Sequence, residues 1–312
     1  MVPASLAVVE EVVTNFKKWL VENPKGAVAV AAINALTTLI KNSGASTIME
    51  LEILLKAAQE KLQDVNFEGQ RSKVIQLTSA CELFARHVTR TALDVSDFDI
   101  CKQRLIDRGE RFATKADVSR TVIAENMRPF LRDSMTILVH GYSNVVCTGL
   151  LSAAKSGMRF KVLVTEGQPE KDGYKTAQEL GNQGIPVEVV LDVAVGFVMQ
   201  EVDIVLTGAA GVCESGGIVN KIGTYQVSVL AKEAKKPFYV AAESYKFCRL
   251  YPLSPTDLPK AEGERAATQV GGASVRSIPS DFTPPDKLTL LITDIGVLTP
   301  SAVSDELIKL YY

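Results

Sequence analysis

Histidine and cysteine are too scarce and too scattered in this chain to indicate a metal site. The histidines are His87 and His140, and none of the five cysteines belongs to a Cys-x-x-Cys pair. A structural zinc site needs four such ligands, usually at short spacings. Scattered cysteines in odd number are typical of proteins in a reducing compartment. We therefore expect no metal, no cofactor and a cytosolic location.

Long apolar runs and a strong net charge are also missing. No stretch approaches the ~18 consecutive apolar residues of a membrane-spanning helix. The opening residues, MVPASLAVVEEVV, have no basic segment and soon reach Glu10 and Glu11, so we expect no signal peptide. A formal charge of −2 provides no general attraction for nucleic acid or for an anionic membrane. We expect neither as a direct partner.

What the first part of the chain does have is helical periodicity. Apolar residues recur at steps of three and four up to about residue 130. Thr47 followed by Glu50 is typical of a capping box at a helix start. The pattern predicts an all-helical domain over residues 1–130. Its helices are predicted at about 6–20, 27–41, 47–62, 70–93 and 97–126.

From Asp133 onward, short apolar runs alternate with helical stretches. Such runs are typical of parallel strands that helices cover on both faces. We therefore predict an α/β domain over residues 131–312, with a doubly wound, Rossmann-like parallel sheet. Residues 254–285, rich in Pro, Gly, Ser and Thr, predict a long loop. The runs are 136–140, 160–164, 187–191, 203–207, 238–242 and 288–292.

A glycine-rich stretch, GAAGVCESGGIVNKIGT at 208–224, follows the fourth run. Ligands bind beyond the carboxyl ends of strands in such sheets. Gly216 and Gly217 would let backbone N–H groups approach a ligand, and Lys221 adds a positive charge before a helix predicted near Thr224. These features favour an anion such as phosphate. A plain chain turn with a solvated lysine explains the same residues equally well.

Three segments together resemble one superfamily: the glycine stretch with its NKIGT ending, TEGQP, and FTPPDKLTLLITDIGVLTPSAVSDEL. That superfamily joins methylthioribose-1-phosphate and ribose-1,5-bisphosphate isomerases to the regulatory subunits of translation initiation factor 2B. AESYKFCRLYPL at 242–253 and TPSAVSDELIKLYY at 299–312 are most similar to its alpha-type subunits. The resemblance covers essentially the whole chain and implies the same order of helical and α/β domains.

The resemblance also implies which groups an isomerase needs. A cysteine is expected directly after the histidine that ends the first strand, and an aspartate directly after Gly-Ala in the glycine stretch. This chain has Gly141 and Ala210 at those positions, and Gln168 where isomerases tend to have arginine. Neither glycine nor alanine can transfer a proton, so acid–base catalysis loses both groups. The alternative is an isomerase with unusual catalytic groups, for which Cys213, Glu214 and Glu166 are the candidates.

Residues that could still hold a sugar phosphate or a nucleotide phosphate remain. Lys25 and Gly26 correspond to an Arg-Gly pair in a phosphate loop of the isomerases. Alternatively, Asn220 and Lys221 only hold the loop, and we favour a hydrogen bond to a neighbouring loop for His140. The candidate ligand-binding residues are Lys25, Gly26, His140, Glu166, Gly216, Gly217, Asn220 and Lys221.

For a regulatory subunit, the resemblance implies partners rather than a reaction. It implies a homodimer through the α/β domain that bridges the other subunits of a guanine nucleotide exchange complex. The helical half is expected to face the phosphorylated alpha subunit of translation initiation factor two and to help inhibit exchange under stress. The apolar residues 288–292 and 297–298 suggest the dimer interface, and Lys17, Lys18 and Lys41 are candidate phosphoserine contacts. A stand-alone metabolite-binding protein is a third interpretation.

Overall fold

A computed structural model describes residues 3–24, 26–65, 71–95, 97–254, 257–258, 268–270, 273–275 and 278–311. Its contacts form two compact units, the first mainly within residues 1–117 and the second within 118–310. The sequence predicts a boundary at 130, whereas the contacts assign residues 118–127 to the second unit. No described helix has the length and hydropathy needed to cross a bilayer.

The helices of the first unit follow the predicted pattern closely. Thr47 caps the third helix, because its hydroxyl oxygen accepts from the Glu50 amide at 3.2 Å. The Glu50 carboxylate in turn accepts from the Ser46 amide at 2.8 Å. The second helix is rich in alanine and other apolar residues and is buried over most of its length. The helices are α1 Pro3–Glu22, α2 Val28–Asn42, α3 Ile48–Gln63, α4 Arg71–Asp94 and α5 Phe98–Met127.

The second unit contains the predicted alternation of strands and helices. Its helices are α6 Asn144–Lys155, α7 Gly173–Gly181, α8 Val195–Val198, α9 Thr224–Glu233 and α10 Val303–Tyr311. Its strands are β1 Thr136–His140, β2 Lys161–Thr165, β3 Val187–Val190, β4 Ile204–Gly208, β5 Gly211–Cys213, β6 Ile218–Lys221, β7 Phe238–Ala241, β8 Phe247–Cys248, β9 Thr268–Val270, β10 Ala273–Val275, β11 Ser280–Thr283, β12 Leu290–Thr293 and β13 Gly296–Leu298.

The main sheet has the strand order β13-β12-β7-β4-β1-β2-β3 among the described residues. All neighbours are parallel except β12 and β13. The chain moves outward from β1 through β2 to β3 and then returns to β4, on the other side of β1. Leu138 in β1 pairs with Leu163 on one side and Val205 on the other, and all three are fully buried. The doubly wound fold is thus confirmed, with its switch point between β1 and β4.

A second sheet, of order β11-β6-β5-β8, is a feature that the sequence did not predict. The glycine-rich stretch was expected to be a loop, but it folds as the antiparallel hairpin β5–β6. Short strands with several glycines have weak periodicity, which explains the miss. Of the predicted loop 254–285, the described residues include β9, β10 and β11, while much of 255–277 lies outside the described residues.

Candidate functional site

The candidate site lies at the carboxyl ends of β1, β2 and β4. Ligands of doubly wound sheets bind in this crevice, where the strand order reverses. The end of β4 lies close to the segment after β1. A Cβ added to Gly208 would lie 2.3 Å from the Ser143 hydroxyl oxygen. The structure brings His140, Gly141 and Lys221 together here.

His140 is held by two neighbours and is buried. Its Nε2 lies 2.9 Å from the Ile222 carbonyl oxygen, and its Nδ1 lies 2.7 Å from the Thr165 hydroxyl. Since a carbonyl can only accept, Nε2 donates, and a neutral ring then accepts from Thr165 through Nδ1. Burial is the main cause that lowers the pKa of His140, which keeps the ring neutral. The geometry is that of a loop anchor, the role that the sequence favours.

Lys221 is already paired with a carboxylate of the same chain. Its ammonium forms an ion pair with Asp172, and the two side chains are 28% and 14% exposed. The carboxylate lies against Gly141 and Gly167, which both have positive φ. A Cβ added at either glycine would lie 2.9 or 2.6 Å from Asp172 Oδ1. The predicted anion-binding lysine therefore has an internal anion beside it.

The start of α7 brings Asp172 into the site. The Gly173 amide donates to the Glu166 carbonyl at 3.0 Å, and a Cβ on Gly173 would lie 1.8 Å from the Thr165 carbonyl oxygen. The Thr176 hydroxyl donates to the Gly141 carbonyl at 2.7 Å. Sequence reasoning missed Asp172. The Asp-Gly pair before a helical segment was the feature that could have identified it.

The N-terminus of α9 also meets a carboxylate of the chain. Asp281 Oδ2 accepts from the amides of Gly223 at 2.8 Å and Tyr225 at 3.1 Å. Burial raises the pKa of Asp281 to about 7, although these hydrogen bonds act to lower it. The helix begins at Thr224 as predicted, but Asp281 occupies the position where a phosphate was expected.

Asn220 connects three elements of the second unit. Its amide nitrogen donates to the hydroxyl oxygens of Thr207 at 3.2 Å and Thr224 at 3.1 Å. These bonds join β6 to the end of β4 and to the start of α9. They use the donor hydrogens of the amide, which supports the structural alternative for this residue.

Gly216 and Gly217 form the turn of the hairpin, at the opposite end of β6 from Lys221. A strand of four residues spans roughly 13 Å, so these glycines and Lys221 are well separated. Gly216 has φ 83°, and a Cβ there would lie 2.0 Å from the Pro300 carbonyl oxygen. A Cβ on Gly217 would lie 2.7 Å from the Phe282 ring. Close packing within the unit accounts for both glycines.

Glu166 lies at the rim of the site, after β2. Its carboxylate accepts from the Gln168 side-chain amide at 3.1 Å. Asp192 accepts from the amides of Gly167 and Gln168 at 3.0 and 2.7 Å. This part of the site is acidic rather than basic, because Gln168 stands where an arginine was expected.

Lys25 and Gly26 belong to the other end of the chain. Lys25 lies outside the described residues. Gly26 is in the first unit, where its amide donates to the Asn23 carbonyl at 2.8 Å. A Cβ there would lie 2.4 Å from the Trp19 ring, so the glycine allows close packing against that indole.

Cys213, a candidate replacement for the missing catalytic groups, is buried, with no exposed surface. It pairs in register with Cys248 of β8. Interaction with Cys248 and burial both raise the pKa of the Cys213 thiol, so it is held protonated. Ala210 is also buried, and its amide donates to the Val219 carbonyl at 2.9 Å. Among the described residues, no group of three or more metal-ligating side chains occurs.

The residues after β7 form a buried polar network that anchors α5 to the sheet. Glu243 is 2% exposed and accepts from Arg120 at 3.4 Å and from the Tyr245 hydroxyl at 3.0 Å. Lys246 lies 2.7 Å from its other oxygen. The Ser244 amide and hydroxyl donate to Asp294 at 2.6 and 2.8 Å. These polar groups pair with one another inside the second unit, which supports a structural role.

Comparison with known proteins identifies relatives along nearly the whole chain. The Initiation factor 2 subunit family matches residues 21–300. Translation initiation factor eIF2B subunit alpha of Dictyostelium discoideum is 44% identical over 313 residues, covering 96% of each chain. Ribose 1,5-bisphosphate isomerase of Archaeoglobus fulgidus is 33% identical over 205 residues, covering 64% of this chain and 65% of the isomerase. A chain of the tetrameric eIF2B-beta2-delta2 complex from C. thermophilum has the same fold, with a TM-score of 0.75, 17% identity and coverage of 99% and 95%.

Proposed function

This chain belongs to the Initiation factor 2 subunit family, and from that premise we propose that it is a non-catalytic regulatory subunit of the guanine nucleotide exchange factor for translation initiation factor two. Near full-length similarity to a subunit named eIF2B alpha supports the assignment. The observation that carries the non-catalytic part is the presence of Gly141 and Ala210, which have no group that can transfer a proton.

The alternative, an isomerase, is supported by the similarity to ribose 1,5-bisphosphate isomerase over about two thirds of the chain. Its replacement groups are poorly suited to proton transfer. Cys213 is buried with a raised thiol pKa, and Glu166 lies at the rim beside Gln168. The regulatory subunit therefore has the better support.

Three measurements separate these functions. A tagged chain expressed in cells should co-purify with the other subunits of the exchange complex. Removing the chain should make nucleotide exchange insensitive to phosphorylation of the substrate factor. If the purified chain alone converts ribose 1,5-bisphosphate at an enzyme-like rate, the proposal is wrong.

We place the homodimer contact on the outer surface of α8 and α9. Of the residues that the sequence suggested, 288–292 and 297–298, Leu291 and Ile292 are fully buried in β12, whereas Val297 of the edge strand β13 is 39% exposed. α8 packs on α9, and a Cβ on Gly196 would lie 3.7 Å from Leu230. Contiguous exposed apolar side chains are typical of protein interfaces. Those on or beside these helices are Leu191, Val193, Phe197, Tyr225 and Val229.

Sedimentation of the isolated chain tests this surface. Phe197 is 86% exposed, so Phe197→Glu should not disturb the core, yet it should shift a dimer toward monomer. Ile308→Ser, at an exposed apolar residue of α10, is the matched control and should leave the dimer intact. A dimer that persists unchanged in Phe197→Glu would place the contact elsewhere.

We propose that the first unit contacts the phosphorylated alpha subunit of the substrate factor through cations of α4 and α5. Lys18 and Lys41, suggested by the sequence, pair with Glu22 and Glu110. Another group surrounds His87, whose pKa is lowered to about 4 by burial and by three cations. Clustered cations provide the charge that phosphoserine recognition needs. The three cations are Arg90, Arg108 and Lys115, and all are exposed.

Binding assays with the assembled exchange complex test this contact. Arg108→Glu should reduce the preference for phosphorylated over unphosphorylated substrate factor. Lys56→Glu, on an exposed position of α3, changes the same charge and should leave the preference unchanged. An unaltered preference in Arg108→Glu would remove this cluster from the recognition surface.

We also propose that the candidate site, which lacks the isomerase catalytic groups, binds a sugar phosphate as a regulatory or stabilising ligand. Lys221 supplies the cation, and the position at the carboxyl ends of β1, β2 and β4 is the one that such sheets use. Isothermal titration with ribose 1,5-bisphosphate and related sugar phosphates tests it. No binding heat for any of them, with folded protein, would exclude this ligand class.

A further inference from the structure

We propose that Asp172 is a specificity-determining residue of the candidate site: its carboxylate occupies the anion position beside Lys221, and a bound phosphate must displace it. The inference rests on the proposed sugar-phosphate ligand.

The carboxylate of Asp172 packs against two glycines that leave space for it. Gly141 and Gly167 have φ 63° and 73°, and a Cβ on either residue would lie within 3 Å of Asp172 Oδ1. A cysteine at position 141, as expected in an isomerase, would place its Cβ 2.9 Å from that oxygen. The space that the Asp172 carboxylate occupies in this chain is therefore the space that the cysteine side chain would need in an isomerase.

Asp172 is not explained as a helix cap. It directly precedes α7, but its side chain makes no capping hydrogen bond. Its Oδ1 is buried, with no hydrogen-bond partner within the described part of the chain. A buried oxygen without a partner is costly. The ion pair with Lys221 is the interaction that accounts for the position of this carboxylate.

The surrounding charges make the competition strong. Glu166 and Asp192 lie on the adjoining segments after β2 and β3. A phosphate added beside Lys221 with Asp172 in place would bring like charges together at short range. Once Asp172 has moved away, Lys221 can pair with the phosphate, while the acidic rim can accept hydrogen bonds from sugar hydroxyls. The site should thus favour a phosphorylated polyol over inorganic phosphate.

Titration calorimetry on the full chain tests the inference, with ribose 1,5-bisphosphate and inorganic phosphate as probes. Asp172→Asn removes the charge and nearly keeps the shape, so it should tighten binding of both probes by about tenfold or more. Asp286→Asn is the matched control, because Asp286 also pairs with a lysine, Lys232, but on the exposed surface. It should leave both affinities unchanged. Adding Lys221→Gln to Asp172→Asn should abolish the gain.

The outcomes separate this inference from the ligand proposal. If wild type binds ribose 1,5-bisphosphate and Asp172→Asn binds it no more tightly, Asp172 does not compete and the ligand site stands. If neither protein binds while both unfold cooperatively, the ligand proposal and this inference both fail. Asp172→Ser, which also removes the charge and suits a helix start, replaces Asp172→Asn should that variant not fold.

Discussion

The carboxyl group of Asp281 accepts a hydrogen bond from the Gly223 amide at 2.8 Å and so lies at the start of α9. Helix N-termini attract anions, so this contact satisfies the feature from which a phosphate site was predicted. Gly223 has φ 98°, and a Cβ there would lie 2.8 Å from the His140 ring. Asp281, Gly223 and His140 therefore pack against one another and hold the backbone on one side of the candidate site.

Asp281 should make stability depend on pH. Burial raises its pKa from 3.8 to about 7, so the folded state holds a proton that the unfolded state releases at lower pH. The associated stability is fully present below about pH 3.8 and is lost as pH rises through about 7. Asp281→Asn cannot ionise and should lack this loss. Urea unfolding at pH 4.5, 6 and 8 measures it.

The comparison requires a variant that removes an exposed carboxylate instead of a buried one. Asp203→Asn is suitable, because Asp203 is an exposed partner of the Thr136 amide. Its pH profile should stay parallel to that of wild type. If Asp281→Asn is also parallel to wild type from pH 4.5 to 8, then Asp281 is ionised throughout.

His140 should contribute a pH dependence of the opposite sign. Burial lowers its pKa below 6.5, so in acid the unfolded chain binds a proton that the folded chain does not. This stability is present above about pH 6.5 and is lost as pH falls below it. Because the window overlaps that of Asp281, His140→Gln should be measured in the Asp281→Asn background. A persistent acid loss after His140 is removed would assign it to another group.

Gly216 should tolerate substitution much less well than Gly157. Both have positive φ, at 83° and 95°, but a Cβ on Gly216 would lie 2.0 Å from the Pro300 backbone, whereas Gly157 faces open space. Gly157→Ala should cost about 1 kcal/mol of the free energy of unfolding from backbone strain alone. Gly216→Ala should cost roughly 2–4 kcal/mol, because Pro300 must also move. Equal losses would mean that the hairpin turn relaxes away from Pro300.

Much of the fold could be predicted from sequence because its features are local. The capping box of Thr47 and Glu50 and the apolar run at 136–140 each involve neighbouring residues. The candidate site was harder, since its decisive contacts join distant positions. Lys221 and Asp172 are on different elements, and Asp281 reaches Gly223 from the far side of a segment that predicts only a loop. Composition indicated an anion at the glycine stretch, but it could not indicate that the chain supplies its own.

The Arg120–Glu243 pair should matter far more to stability than an ion pair on the surface. Glu243 is 2% exposed, and removing its charge by Glu243→Gln leaves Arg120 and Lys246 without a counterion in a buried network. Breaking a buried pair in this way costs about 3–5 kcal/mol. Asp286→Asn breaks an exposed pair with Lys232 and should cost about 1 kcal/mol or less. Denaturant unfolding of the two variants tests the contrast. A loss of unfolding free energy in Glu243→Gln as small as that in Asp286→Asn would show that water reaches the network. Apolar contacts would then be what anchors α5 to the sheet.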